Sequence, residues 1–362
     1  MKDRKPLIDL IYTFGAVLFA LLLGGILIHL SGYDVREAYL SFFEGAFGNV
    51  YNLANTLLMT IPLIFTGLAV AVAFQAGLFN VGGEGQLYIG ALASALAGLF
   101  LRGLPPALHI GLALAAGALA GGVWALIPGY LKARTGAHEV ITTIMFNYIG
   151  ILLAAFLVKE YFKEPGRADQ TPVIPVSAQI PELIRDSRLT WALFLGLLAI
   201  VAIDCLFKHT SLGYEIRAVG QNLFAAEYAG IDVPSRLAVS MTISGMIAGL
   251  AGSSMVLGVL HRFINNFSPG YGYTGIAVAV LARNKPWGIL PAALLFGVLQ
   301  SGGMSMQLFA RIPMDLMTLV QGLVILLVAA PALVELFVTL RRRRKEGGTS
   351  GGRDLKGYLR HQ

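Results

Sequence analysis

The sequence predicts an all-α polytopic membrane protein, and three observations carry that prediction. Of the 362 residues, 56% are hydrophobic and only 13% charged, with a mean hydropathy of +0.71. A soluble chain has about a quarter of its residues charged and needs them to cover its surface. The apolar residues also fall into runs of roughly 20, the length a helix needs to cross the hydrocarbon core. Finally, the 43 glycines far exceed the ~7% of an ordinary chain; with abundant alanine they suit helices packed through small faces. A soluble enzyme, a nucleic-acid binder and a disordered hub are thereby excluded. The net charge of +7 does not reopen the nucleic-acid reading. Basic residues sit in short clusters between apolar runs, without a basic strip interleaved with aromatics.

Ten spans follow along the chain, near 9–30, 53–74, 85–101, 105–128, 139–158, 190–207, 236–258, 267–282, 286–306 and 313–338. The first run follows Lys2, Arg4 and Lys5. It is too long for a signal-peptide core and no small-x-small site follows, so it reads as an uncleaved anchor. With both termini cytoplasmic, eighteen of the 27 basic residues fall inside and nine outside, as the positive-inside rule favours. The eighth span is short. After Ser268-Pro269-Gly270-Tyr271-Gly272, only about ten apolar residues precede Arg283, roughly 15 Å of helix. It reads as a broken helix, tolerated only where its freed backbone faces protein or a water-filled cavity, which makes it a candidate for a solute pathway. Residues 1–340 read as a single transmembrane domain. The polar loop 159–188, punctuated by Pro165, Pro172, Pro175 and Pro181, caps the outer face, and 341–362 is a basic, glycine-rich, disordered tail.

Catalytic signatures are missing. The chain has no Gly-Lys dipeptide, hence no P-loop, and no His-Glu-x-x-His. Its one cysteine, Cys205, excludes an internal disulfide and a cysteine zinc cage. Gly270-Tyr271-Gly272-Tyr273-Thr274-Gly275 matches G-x-G-x-x-G but follows no strand, so it is no dinucleotide fingerprint. The acidic residues in or near spans, Asp9, Glu84, Glu139, Asp204, Asp315 and Glu335, all lie near span ends. An ion-driven carrier usually places ionisable groups at mid-membrane. That shortage weakens the stand-alone carrier reading and points to energy from another subunit.

Between the sixth and seventh spans, residues 208–235 read as two short helices. The first ends at Gly220, Asn222 N-caps the second, and Gly230 supplies its left-handed stop. The small residues Ala225-Ala226 and Ala229-Gly230, with an unpaired-looking Arg217, suit docking into a groove on a partner; an ordinary amphipathic surface loop is the plain alternative.

The pattern Gly213-x-x-x-Arg217-Ala218-Val219-Gly220-x-Asn222-x-x-Ala225-Ala226-x-x-x-Gly230-Ile231, followed by Ile243-Ser244-Gly245-x-x-Ala248-Gly249-Leu250-Ala251-Gly252, resembles the permeases of ABC importers for sugars, nucleosides and branched-chain amino acids. Three further stretches resemble the nucleoside (simple sugar) uptake branch. They are Gly77-Leu78-Phe79-Asn80-Val81-Gly82-x-Glu84-Gly85-Gln86, then His138-Glu139-Val140-Ile141-Thr142-Thr143-Ile144-Met145-x-Asn147-Tyr148, then Ser268 to Gly272 followed by Gly275-Ile276-Ala277-Val278-Ala279. The matches span roughly 60 to 330.

The resemblance implies a type II-like permease fold of about ten helices in a bacterial inner or plasma membrane. It implies a hetero- or homodimer with a second permease, two ATP-binding subunits that hold ATP and magnesium, and an extracytoplasmic lipoprotein delivering a nucleoside. This chain itself then binds no cofactor and does no chemistry. It also implies that Gly213, Arg217, Ala218, Gly220, Asn222, Ala226 and Gly230 belong to the region coupling to the ATPase. A nucleoside is neutral, with hydrogen-bonding edges and a stackable base, so its path should offer amides, hydroxyls and aromatics. Candidates are Asn80, Glu84, Gln86, Asn147, Phe267, Tyr271 and Tyr273, with Gln300, Gln307 and Gln321 behind them. Each has a structural alternative: Asn80 and Glu84 as caps of a glycine-rich turn, Asn147 as an interhelical bond, the tyrosines as interfacial aromatics. A ribose, other sugar or riboflavin permease and a stand-alone secondary carrier or channel are the competing readings.

Overall fold

Helix follows helix through the computed structural model, which describes residues 6–166, 169–184, 187–313, 315–324 and 326–327. The end of the tenth predicted span, Glu335 and the basic tail lie outside these residues. The helices are α1 (Pro6–Leu30), α2 (Val35–Phe47), α3 (Val50–Gln75), α4 (Gly83–Phe100), α5 (Pro106–Thr135), α6 (Glu139–Leu157), α7 (Ala192–His209), α8 (Ser211–Gln221), α9 (Leu223–Tyr228), α10 (Val233–Met255), α11 (Tyr271–Leu281) and α12 (Pro286–Phe309). Single π turns prolong α6 through Phe162 and α10 through Leu260. No strand occurs among the described residues, only the isolated bridges Gln170 to Ile264 and Glu182 to Thr190.

Among the described residues, six helices are long and apolar enough to cross a membrane: α3, α5, α6 and α10 with their π turns, α7 and α12. Leu18–Leu30, Tyr271–Leu281 and Asp315–Val324 are shorter apolar helices. The 18-residue α4 carries Glu84 and Gln86 in its first two turns, which lowers its hydropathy. The helices differ most in enclosure. In α3, 83% of the apolar window is buried by the rest of the chain, against 22% in α6. α3 is therefore a central element, and α6 leaves most of its apolar side chains uncovered by the rest of the chain.

Two units make up the chain, Arg36–Ile312 and the described parts of Met1–Val35 with Pro313–Gln362. Within the second, Gly24 of α1 leaves space for Val320, whose Cγ2 would lie 2.8 Å from any β-carbon there. Within the first, α10 packs on α3, α4 and α5, and the contact is backbone to backbone. A β-carbon at Gly249 would strike the Gly117 carbonyl, and one at Gly252 would strike that of Leu87. This is the close approach that small residues allow between membrane helices.

Some features depart from the sequence reading. Residues 31–52, read as an outer loop, contain α2. It buries Ala38, Phe42, Gly45 and Ala46 on one face and exposes Leu40, Phe43 and Phe47 on the other; Arg36, Glu37 and Glu44 hide this helix from a hydropathy reading. α5 runs to Thr135, beyond the predicted end at 128, because its apolar run stops before its backbone does. Gly136, at φ 70°, ends it. The eighth span is helical only from Tyr271; the chain bends before it at Gly270, φ 94°. The connection after α6 is held by main-chain bonds to the segment leaving α10: Thr171 N–H to the Phe263 carbonyl at 3.0 Å, Ile174 N–H to His261 at 2.8 Å and Ile180 N–H to Leu257 at 2.8 Å.

Candidate functional site

Two helices of the Arg36–Ile312 unit begin close together inside the bundle, and each is capped by a side chain from another helix. A helix start leaves N–H groups without intrahelical partners, and at membrane depth water does not satisfy them. At α4, the Asn147 side-chain oxygen, from α6, accepts from Gly85 N–H at 2.7 Å. At α11, the Glu84 carboxylate, from α4, accepts from Gly272 N–H at 2.6 Å. Ser268 completes the second cap: its hydroxyl oxygen accepts from Gly270 N–H at 3.2 Å and Tyr271 N–H at 3.1 Å, and it bonds to the Glu84 carboxyl. A carboxylate at a helix N-terminus also meets the positive end of the helix dipole.

A second layer of bonds holds these caps. The Asn147 amide donates to the Val81 carbonyl at 2.7 Å and to the Tyr273 hydroxyl oxygen at 3.3 Å, so one side chain touches both helix starts. Asn80 accepts from Gly82 N–H at 2.9 Å and donates to Gln86 Oε1 at 3.0 Å and to Ser244 Oγ at 2.8 Å. Gln86 returns a bond to Asn80 Oδ1 at 3.1 Å. Ser244, on α10, donates to the Ala69 carbonyl at 2.6 Å. Asn80, Glu84, Gln86 and Asn147 are all at most 3% exposed. The approach depends on glycine: a β-carbon at Gly272 would collide with the Glu84 backbone, and one at Gly85 would lie 2.7 Å from Asn147 Cα.

The structure thus brings all seven predicted pathway residues into one region but gives them different surroundings. Asn80, Glu84, Gln86 and Asn147 spend their polar atoms on protein partners. Tyr271 is 2% exposed and donates to Met59 Sδ at 3.4 Å. Tyr273 is exposed, and Phe267 is half-buried with its ring centroid 4.9 Å from that of Tyr88. Sequence reasoning missed Ser244, Ser268 and Tyr88, whose hydroxyl accepts from Ser268 N–H at 3.3 Å. A serine inside an apolar run was the available signal for Ser244, but its partners lie far away in sequence. Of the more distant candidates, Gln300 is buried with Oε1 unpartnered, Gln307 is exposed and Gln321 is half-buried.

The 208–235 segment is built differently. α8 is capped by Thr210, whose hydroxyl accepts from Gly213 N–H at 3.0 Å. It runs one residue beyond Gly220, to Gln221. Asn222 caps α9 by accepting from Ala225 N–H at 3.1 Å, and Gly230 follows at φ 83°. Gly213, Ile216 and Val219 form the buried face of α8, while Ala218 is half-buried. An ion pair joins Glu215 to Arg236 of α10. Arg217 is half-buried, and its Nε donates to the Gly213 carbonyl at 3.4 Å. The expected small face is not a single surface: Ala226 is buried while Ala225, Ala229 and Gly230 are exposed. Beside them stand Phe224 and Tyr228, one turn apart on α9 and 82% and 97% exposed. His138-Glu139 opens α6, and Glu139 pairs with Lys132 at 2.8 Å.

No group of three or more metal-binding side chains occurs among the described residues. No solved structure matches the chain. The model of the branched-chain amino acid transport system permease component matches residues 52–329. The guanosine ABC transporter permease protein NupP of Bacillus subtilis is 38% identical over 94% of this chain and 99% of its own length. The nucleoside ABC transporter permease protein NupB of Lactococcus lactis is 37% identical over 93% and 94%, and the glucose ABC transporter permease protein TsgB13 of Haloferax volcanii 32% over 86% and 84%. A second guanosine ABC transporter permease protein of B. subtilis, NupQ, is 32% identical over 71% of this chain and 84% of its own length. Matched by the family model over most of its length, and by relatives above 30% identity over nearly all of it, this multi-pass membrane chain belongs to the permease components of the branched-chain amino acid transport system family and is a transport subunit rather than an enzyme.

Proposed function

We propose that the chain forms half of the translocation path of a bacterial ATP-driven importer whose solute is a nucleoside. The observation that carries this reading is the 37–38% identity to two nucleoside permeases over at least 93% of the chain. The chain crosses the membrane ten times in a type II-like arrangement with both termini cytoplasmic, α11 being the broken crossing. It pairs with a second permease and two ATPase subunits that bind ATP and magnesium, and it receives solute from an extracytoplasmic lipoprotein.

Within this reading, Asn80, Glu84, Gln86 and Asn147 are the frame, because their hydrogen-bonding capacity is already used. Phe267 and Tyr273 are the path contacts: aromatic, only partly covered and adjacent to that frame, they offer faces on which a base can stack. On the ATPase side, Phe224 and Tyr228 fill an apolar groove of the ATPase, and Arg217 pairs with an acid at its rim. ATP closing the two ATPases shifts α8 and α9, and the shift opens the path alternately to each side.

Uptake of tritiated guanosine into proteoliposomes containing the whole complex tests the reading. The expected result is ATP-dependent uptake, competed by other nucleosides and not by excess glucose. Competition by glucose with none by nucleosides would favour a sugar permease like the Haloferax relative and overturn the nucleoside assignment. Arg217→Glu is expected to abolish uptake while the complex still inserts; normal uptake by that variant would remove Arg217 from the contact.

A further inference from the structure

Gln75, at the last turn of α3, stands between the proposed ATPase-contacting helices and the broken helix α11, and transport as proposed above does not yet use it. α3 stops at a left-handed glycine: Gly77 lies at φ 75°, Gly77 N–H bonds to the Phe74 carbonyl at 3.0 Å, and Leu78 N–H bonds to the Ala73 carbonyl at 3.0 Å. Such paired bonds make a firm stop.

Two elements rest on that stop. Gly220, at the end of α8, packs backbone to backbone on it; a β-carbon there would run into the Gln75 carbonyl oxygen and lie 2.9 Å from the Ala76 carbonyl carbon. On the side-chain side, Gln75 Nε2 donates to the Asn284 carbonyl at 3.0 Å. Asn284 lies in the tight corner between α11 and α12, where it and Arg283 have φ of 57° and 53°. Their N–H groups bond back to Ala279 and Val280 of α11 at 2.9 and 3.0 Å. α11 is thus held near both ends by residues that flank the α3–α4 connection: by Glu84 at its first turn and, through the corner that follows it, by Gln75.

We infer that Gln75 is a positioning residue that transmits displacement of α8 to the inner end of α11, with the Glu84 cap as the fixed point about which α11 tilts. This rests on the importer reading. Gly220 meets Gln75 through main-chain atoms that cannot yield by rotating a side chain, and Gln75 holds the corner after α11 by one hydrogen bond, while the middle of α11 packs directly on α3, Gly275 against Thr66 and Val278 against Gly67. Losing that bond frees the corner after α11 from Gln75 without unpacking either helix.

The test is Gln75→Met, similar in length but without a donor, in the complete reconstituted complex with guanosine as solute. The ATP hydrolysed per guanosine imported is expected to rise about five- to tenfold, the range one hydrogen bond of this kind allows, while ATP hydrolysis itself stays within about twofold of wild type. Gln75→Lys, which restores a donor of similar reach, should return the ratio to within about twofold. Gln75→Ala carries the same expectation as Gln75→Met and replaces it where that variant does not assemble. A merely structural role would lower hydrolysis and uptake together with the melting temperature, and that outcome overturns the relay. An unchanged ratio in assembled Gln75→Met also overturns it while leaving the importer intact. Absence of ATP-dependent uptake by the wild-type complex removes the importer reading, and the relay with it.

Discussion

The region where α4 and α11 begin and the segment formed by α8 and α9 are both polar interruptions in an apolar chain, yet the two are built to opposite ends. In the first, four polar side chains at most 3% exposed are bonded to backbone groups or to each other. In the second, helices are capped by their own neighbours in sequence, and two aromatic rings on α9 stand 82% and 97% exposed. A helix that starts inside a bilayer must have its first N–H groups satisfied by protein, and Asn147 and Glu84 do this for α4 and α11. Phe224 and Tyr228 stand largely clear of the other described residues.

Substitutions should separate the two regions by how far they disturb folding. The largest effect is expected for Gly272→Val, because its β-carbon meets backbone of Gly83 and Glu84, which cannot move aside as a side chain can. Little folded protein should be extracted in mild detergent, and a wild-type yield would show that α4 and α11 do not approach this closely. Asn147→Ala follows, since it leaves both Gly85 N–H and the Val81 carbonyl unpaired, at roughly 1–3 kcal/mol each. Its melting temperature should fall more than that of Glu84→Ala, which orphans Gly272 N–H. Glu84→Gln, still offering an acceptor oxygen, should recover much of the loss; equal destabilisation by Glu84→Gln and Glu84→Ala would contradict the capping role.

How much of this was legible in the sequence depends on whether the signal was local. The break before Tyr271 is announced by Ser268-Pro269-Gly270, and the Asn222 cap and Gly230 stop by residue types that favour those positions. Asn80, Glu84, Gln86 and Asn147 stand out as polar residues in apolar surroundings. Their partners do not, because Gly272 lies 188 residues from Glu84 and Ser244 lies 164 from Asn80. α2 was missed because its charged residues share a turn with its apolar ones. The exposure of Phe224 and Tyr228 was hidden for another reason: two aromatics four residues apart read equally well as a buried stripe.

In the α8–α9 segment the expected effect on folding is small. Phe224→Asp with Tyr228→Asp should leave the melting temperature of the isolated chain within about 1–2 °C of wild type, as substitutions at exposed sites without packing usually do. A large drop would show that the rings are packed after all. Smallest of all is the pair outside the membrane formed by Lys163 and Asp169 at 2.8 Å. The lysine holds the Asp169 carboxyl below its usual range. Its contribution is therefore present above the ordinary carboxylate pKa and fades as pH falls through the lowered one. Being solvent-exposed, it is screened, so Asp169→Asn should leave the melting temperature unchanged at neutral pH. A clear shift there would mean that the connection after α6 carries more of the fold than its geometry indicates.

The most direct measurement is mass-spectrometric identification of the subunits that co-purify with this chain from its native membrane, for wild type and for the Phe224→Asp, Tyr228→Asp double variant. The account predicts a P-loop ATPase with the wild type, together with a second permease. It predicts loss of the ATPase, with the second permease retained, from the variant. A wild-type chain recovered without any ATPase, or a variant that holds the ATPase as firmly as wild type does, would contradict the assignment of α8 and α9 as the docking segment.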